Sequence, residues 1–385
     1  MVREFSTAGS GGPPRRAFCY DARSMRIGLF GFPQAGKTTL FNLLTGGHAE
    51  TRSFGSGRAD PNVGVARVPD ARLAALSALF KPRKTVPATF EYVDIVGLQK
   101  GDARGSLSLA VLKPMDALAH VVRAFPDDSI PHSEGSLDPA RDVETMEMEL
   151  ILADLDAAGK RIERLRTSIP KTSRPEEKRE LAALERVVQE LEAGRPLRGV
   201  PFPPEDEKLL KGFAFYSAKP LLVVVNVGEE DVPRVRQVVE RFDLRQAASR
   251  PQVAVAAASA RIEEEVAALA EEEAAAFRAE LGIEEPALER ILRVSYSLLG
   301  LISFYTVGDD ECRAWPIRRG STAARAAGTI HTDLEKGFIR AEVVRYEELT
   351  ACGSLAAAKE RGQLRLEGKD YVVADGDILH VRSGL

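Results

Sequence analysis

Cysteine is scarce in this chain: of 385 residues, only Cys19, Cys312 and Cys352 carry thiols. Three cysteines so spaced match neither a zinc site nor a disulfide framework, so a reducing cytoplasm is the expected setting. Long apolar runs are also missing. Nothing nears the ~20 consecutive apolar residues of a membrane helix, and no membrane partner is expected. Charge of one sign does not dominate: 53 Lys and Arg face 57 Asp and Glu, a formal net charge of −4. That balance excludes a bulk nucleic-acid coat and gives no reason to expect DNA specificity, although a local basic face can still meet RNA. The first 24 residues, "MVREFSTAGSGGPPRRAFCYDARS", lack the apolar core of a signal peptide. They read as a disordered extension (1–24), and Met25, directly before a strand-like start, is a candidate natural first residue.

What is present suits two or three folded domains, with 44% hydrophobic and 29% charged residues. "MRIGLFGFPQAGKTTLFNLLTGG" reads as strand, glycine turn and helix, followed by a flexible "HAETRSFGSGRADPNVG". "TFEYVDIVG", "ALAHVVRAF", "PLLVVVNV" and "QVAVAAAS" read as further short apolar strands. Apolar strands separated by helices predict an α/β domain with a mostly parallel sheet, over 25–137 and 212–297. Between them, 138–211 predicts an inserted helical hairpin: "ETMEMELILADLDAAGKRIERLR", then "PEEKRELAALERVVQELEAG", opening at Pro175 and closing at Gly194. Residues 159–200 hold 11 Lys and Arg against 7 Glu, which fits either a solvated helical face or a contact to RNA or a partner. "EEEVAALAEEEAAAFRAELG" reads as one acidic helix. From Leu298 to residue 383, "LISFYTVG", "ECRAWPI", "FIRAEVVRY" and "YVVADGDILHV" predict a separate α+β module.

The chemistry starts at "GFPQAGKTT", a G-x-x-x-x-G-K-[ST] match through Gly31, Gly36, Lys37 and Thr38. Glycines let the backbone curl so that successive N–H groups face phosphate oxygens, and Gln34, Ala35 and Thr39 complete that cradle. The loop opens a helix, whose N-terminus favours anions. Lys37 would neutralise the β/γ-phosphates, and the Thr38 hydroxyl would hold Mg²⁺. Asp94 ends the next strand in "DIVG" and would reach Mg²⁺ through water, while the Gly97 N–H would meet the γ-phosphate. Many GTPases place a water-orienting Gln after this motif; here Leu98 stands there and Gln99 follows, so slow hydrolysis is expected. His120 is expected to pack within its strand.

A guanine-reading Asn-Lys-x-Asp quartet would fall on Asn226, Val227, Gly228 and Glu229. Asn226 suits either purine through N7. Glu229 displaces the carboxylate by one methylene, and Val227 leaves apolar surface where a Lys stem would cover the base. Loss of the Asp removes discrimination of roughly 10² or more in favour of guanine. "GEED" also reads as an ordinary surface turn. "SAR", from Ser259 to Arg261 with Ser259 and Ala260 as candidate contacts, is a weak match to a second base-flanking loop.

The glycine loop, "PNVGVARVPDARL", "VDIVGL", "HVVRAF" and the long "WPIRRGSTAARAAG…VADGDILHVR" together resemble YchF, the Obg-like ATPase family, over nearly all of residues 25–383. The resemblance implies a GTPase-like domain, an inserted hairpin and a C-terminal β-grasp-like TGS domain. It implies cytosolic proteins that prefer ATP to GTP, hydrolyse it slowly with Mg²⁺ and associate with ribosomes. It also implies that the backbone beside Val227 pairs with adenine, that Leu98 is the family's hydrophobic replacement for the catalytic Gln, and that ribosome or ribosomal RNA meets the hairpin and TGS domain. Two departures fall on the phosphate-sensing elements. Arg58 occupies the switch I Thr position, with Ser56 nearby, and "LQKGDARGSLSLAVLKP" is shorter than the family's Gly-rich segment. Arg58 and Arg104 are candidates to offset phosphate charge. These features read as a divergent paralogue whose nucleotide binding is better supported than turnover. A GTP-preferring relative and a non-hydrolysing adaptor remain the alternatives.

Overall fold

The computed structural model describes residues 25–47, 61–95, 107–127, 129–172, 174–283 and 285–384. Gly97, Leu98 and Gln99, the arginines Arg58 and Arg104, Ser56 and the 1–24 extension lie outside the described residues.

The apolar runs form strands β1 (Arg26–Phe30), β2 (Asn62–Arg67), β3 (Lys84–Val86), β4 (Thr89–Asp94), β5 (Ala117–Ala124), β6 (Leu221–Val227) and β7 (Val253–Ala258). Six of them make one sheet in the order β2-β4-β1-β5-β6-β7. All its pairings are parallel except β2 with β4. β5 and β6 are buried at every position, which explains runs such as "LLVVVNV": with helices on both faces, no strand side is left for polar residues. The register brings Leu29 opposite Asp94, Phe30 opposite His120 and Arg123 opposite Asn226, so the carboxyl ends of four strands share one edge. Open α/β sheets bind ligands at that edge. His120 packs as expected, 1% exposed and stacked on Phe30 with ring centroids 4.9 Å apart.

Two sequence expectations change in detail. The run read as flexible ends in strand, because Asn62 to Gly64 already belong to β2. The single acidic helix is two, Ala260–Ala267 and Glu271–Glu280.

The hairpin consists of helices Pro139–Thr172 and Pro175–Glu192. At roughly 50 Å, the first is long enough to serve two cores. Val143, Met146 and Leu150 pack under the sheet, whereas Ile151, Ala158, Ile162 and Leu165 meet Ala183, Leu184, Val187 and Leu191 of the second helix. The hairpin root is tied down by buried polar groups. Asp154 accepts the backbone N–H groups of Tyr216 at 2.9 Å and Ser217 at 2.7 Å, and buried Glu147 pairs with Arg198 and Arg250.

The C-terminal strands are β8 (Leu301–Thr306), β9 (Glu311–Arg318), β10 (Phe338–Arg345), β11 (Arg365–Glu367) and β12 (Asp377–Ser383). Their sheet runs β11-β10-β12-β8-β9-β3. Its last strand comes from the other end of the chain. β3 lies within the 25–137 span assigned to the nucleotide domain, yet pairs parallel with β9. A strand of three residues carries too little pattern to show this in the sequence.

Candidate functional site

The turn after β1 requires glycine at both ends. Gly31 has φ +141°, and a Cβ there would sit 2.4 Å from Val121 O. Gly36 has φ +89°, and a Cβ would meet Asn226 Nδ2 at 2.3 Å. Between them Gln34 adopts φ +60° and is exposed, while Ala35 is buried. Helix α1 (Lys37–Thr45) starts directly at Gly36 with no side-chain cap, so its first N–H groups are left for an anion. Lys37 and Thr38 occupy its first turn, with Thr39 half-buried beside them.

The Lys37 ammonium is 7% exposed and donates to Phe32 O at 2.7 Å. Burial pulls it down to about 8, against the opposing pull of the Asp94 charge. The Thr38 hydroxyl donates to Asp94 Oδ2 at 2.8 Å. Burial raises the Asp94 pKa, opposed by Thr38, Lys37 and the Asn62 side chain. Asp94 Oδ1 is buried without a hydrogen-bond partner among the described residues. An orphaned carboxylate oxygen beside a serine-type hydroxyl is a hard oxygen donor set, and it fits a cation held by Thr38 directly and by Asp94 through water. Among the described residues no group of three or more His, Cys, Asp or Glu forms a closed metal cage. Mg²⁺, which keeps several waters and takes phosphate oxygens, does not need one.

Asn226 at the end of β6 ties the site together. Its Nδ2 donates to Ala35 O at 3.0 Å, and its Oδ1 accepts the Ala260 N–H at 2.9 Å. One carboxamide thus fixes the glycine loop after β1 against the turn after β7. Ser259, 4% exposed, caps the helix that follows by accepting the Ile262 N–H. The Val227 side chain is 3% exposed and belongs to the core under the sheet. It therefore does not leave the apolar surface expected there from sequence. Glu229 is exposed at the head of a 3₁₀ helix, Glu229–Gln237. Asp231, the other nearby carboxylate, is buried and held by Arg241 at 2.5 Å.

Two groups at this edge escaped the sequence reading. Arg123 is 6% exposed and donates to the carbonyls of Phe125, Asp127 and Ile130, fixing the loop after β5. His132, on that loop, lies edge-on to Phe32 of the phosphate loop at 6.3 Å and contacts Asp142 at 2.9 Å. A lone Arg or His carries no spacing signal, so neither was legible beforehand.

Comparison with known proteins agrees with this geometry. Residues 26–159 match a family model described as "50S ribosome-binding GTPase", and residues 301–383 match YchF-GTPase_C, described as "Protein of unknown function (DUF933)". The chain is 43% identical over 363 residues to the "Ribosome-binding ATPase YchF" of Bacillus subtilis (strain 168), covering 93% of this chain and 99% of the relative. It is 40% identical to the protein of that name from Escherichia coli O157:H7, covering 92% and 98%. A solved structure, "Structure of the Schizosaccharomyces pombe YchF GTPase", superposes with a TM-score of 0.80 at 31% identity, covering 93% of this chain and 98% of that one.

Proposed function

The chain belongs to the YchF family, and from that premise we propose that it is a Mg²⁺-dependent ATPase acting as a slow molecular switch on the ribosome in the cytoplasm. The observation that carries the reading is the Thr38–Asp94 contact with its orphaned Oδ1, set at the mouth of an uncapped glycine loop. Loop N–H groups and Lys37 would bind and orient the β/γ-phosphates, an electrostatic role that needs little motion because the loop is already formed. Thr38, and Asp94 through water, would hold Mg²⁺, which would supply positive charge against the phosphates. Leu98, which cannot hold a water, supports slow turnover.

Two features support ATP over GTP: among the described residues after β6, Glu229 stands where the guanine-reading Asp would fall and is exposed, and Asp231 is engaged by Arg241. GTP is the second reading, favoured by the retained Asn226 and by the GTPase family model. Competition against labelled ATP separates the two. Displacement by ATP at lower concentration than by GTP supports the first reading, and the reverse order overturns it.

For ribosome contact we propose the hairpin (138–211) and the TGS-like C-terminal domain (298–383). Along the hairpin three cations are paired with carboxylates: Lys160 with Asp156, Arg161 with Glu180 and Arg166 with Glu185. Arg164 is exposed between them, and Lys171, Arg174 and Lys178 are exposed at the tip.

A further inference from the structure

Residues 61–95 belong to both domains at once. Their ends are β2 and β4, paired antiparallel at the edge of the nucleotide-domain sheet with Asn62 opposite Asp94. Their middle is helix α2 (Ala71–Phe80) and β3. β3 completes the C-terminal sheet, with Thr85 opposite Cys312. At its start, Arg83 and Lys84 donate backbone N–H groups to Asp309 O at 3.0 Å and Asp310 O at 3.1 Å.

A second joint sits at the head of α2. Asp70 caps that helix by accepting the Arg72 N–H at 3.0 Å, and it also accepts the hydroxyl of Tyr305 from β8. The Arg72 guanidinium reaches Asp375 at 3.0 Å and lies 5.5 Å over the Tyr305 ring. Asp375 in turn accepts the Ser303 N–H at 2.9 Å. Tyr305 is fully buried and Asp70 largely so, whereas Arg72 and Asp375 reach solvent, so loss of the Tyr305 hydroxyl removes a partner from a carboxylate that water reaches poorly.

The ends of the segment adjoin the candidate cation site. Asp94 closes β4, and Thr38 donates to it. Arg58 precedes the segment in sequence and Gly97 follows it. We infer that residues 61–95 form a rigid strap coupling nucleotide occupancy to the seating of the C-terminal domain. β2 and β4 are locked to each other, and α2 and β3 are locked to β8 and β9. A shift at Asp94 therefore moves packed elements together rather than being absorbed locally. By linkage, a partner whose affinity for the C-terminal domain is changed by nucleotide changes nucleotide affinity by the same factor.

This inference rests on the nucleotide reading above. Hydrogen exchange on the full chain, with and without Mg–ADP, tests both. In the wild type, exchange should slow in residues 31–45 and also in 301–318, the latter by about fivefold or more. Tyr305→Phe should keep the first response and lose most of the second. Arg72→Met, at a partly exposed position, repeats the test if Tyr305→Phe folds poorly. Slowing confined to 31–45 in the wild type overturns the strap, as does a full 301–318 response in the folded variants. No slowing in 31–45 of the wild type instead overturns the nucleotide reading, and the strap with it.

Discussion

Thr38 Oγ1 donates to Asp94 Oδ2 across 2.8 Å, joining the first turn of α1 to the carboxyl end of β4. The two residues are 56 apart in sequence and meet because β1 and β4 pair in parallel with Leu29 opposite Asp94. Asp94→Asn keeps the shape and removes the charge that attracts a cation. Mg²⁺ affinity in the nucleotide complex should fall by about 10- to 100-fold, with little change in Mg²⁺-free nucleotide binding. Calorimetric Mg²⁺ titration reads both.

Gly36→Ala places a methyl against Asn226 Nδ2 at a φ of +89°. The variant should lose about 1–3 kcal/mol of stability and most of its nucleotide affinity. Gly46→Ala is the control: it shares a left-handed φ of +62° but has no heavy atom within 4 Å of the added carbon. It should lose a similar strain energy and still bind nucleotide, as thermal melts with and without Mg–ADP would show.

Glu229→Asp withdraws the exposed carboxylate toward the position a guanine reader uses. One restored charge-assisted hydrogen bond is worth about 1.5–3 kcal/mol. GTP affinity should therefore rise roughly tenfold or more relative to ATP, measured by competition. An unchanged ratio would show that position 229 does not face the base.

Asp154 gives a pH signature for the hairpin root. Burial raises its carboxyl to about 6, against the Ser217 and Tyr216 hydrogen bonds that favour the anion. Between the ordinary value near 4 and about 6 the folded chain binds the extra proton, so stability falls as pH rises through that window. The size is about 3 kcal/mol for a shift of two units. Asp154→Asn cannot titrate, so the difference between wild-type and variant unfolding energies should shift in the wild type's favour from pH 7 to pH 4.

The phosphate loop was legible in the sequence because its glycines, Lys37 and Thr38 sit at fixed spacing on a strand–turn–helix. The hairpin was legible because its apolar period is helical over many turns. What escaped depends on contacts distant in sequence. Nothing about "KTV" announces that β3 serves the C-terminal sheet, nor that Asn226 holds Ala35 and Ala260. Val227 was misread for a related reason: β6 is buried on both faces, so its side chain goes to the core rather than to a base.

Steady-state phosphate release from Mg–ATP, comparing the wild type with Lys37→Ala in the presence and absence of ribosomes, tests the central claim most directly. The account predicts slow release by the wild type and none above background by the variant. Equal release from both, under both conditions, would contradict ATP turnover at this site.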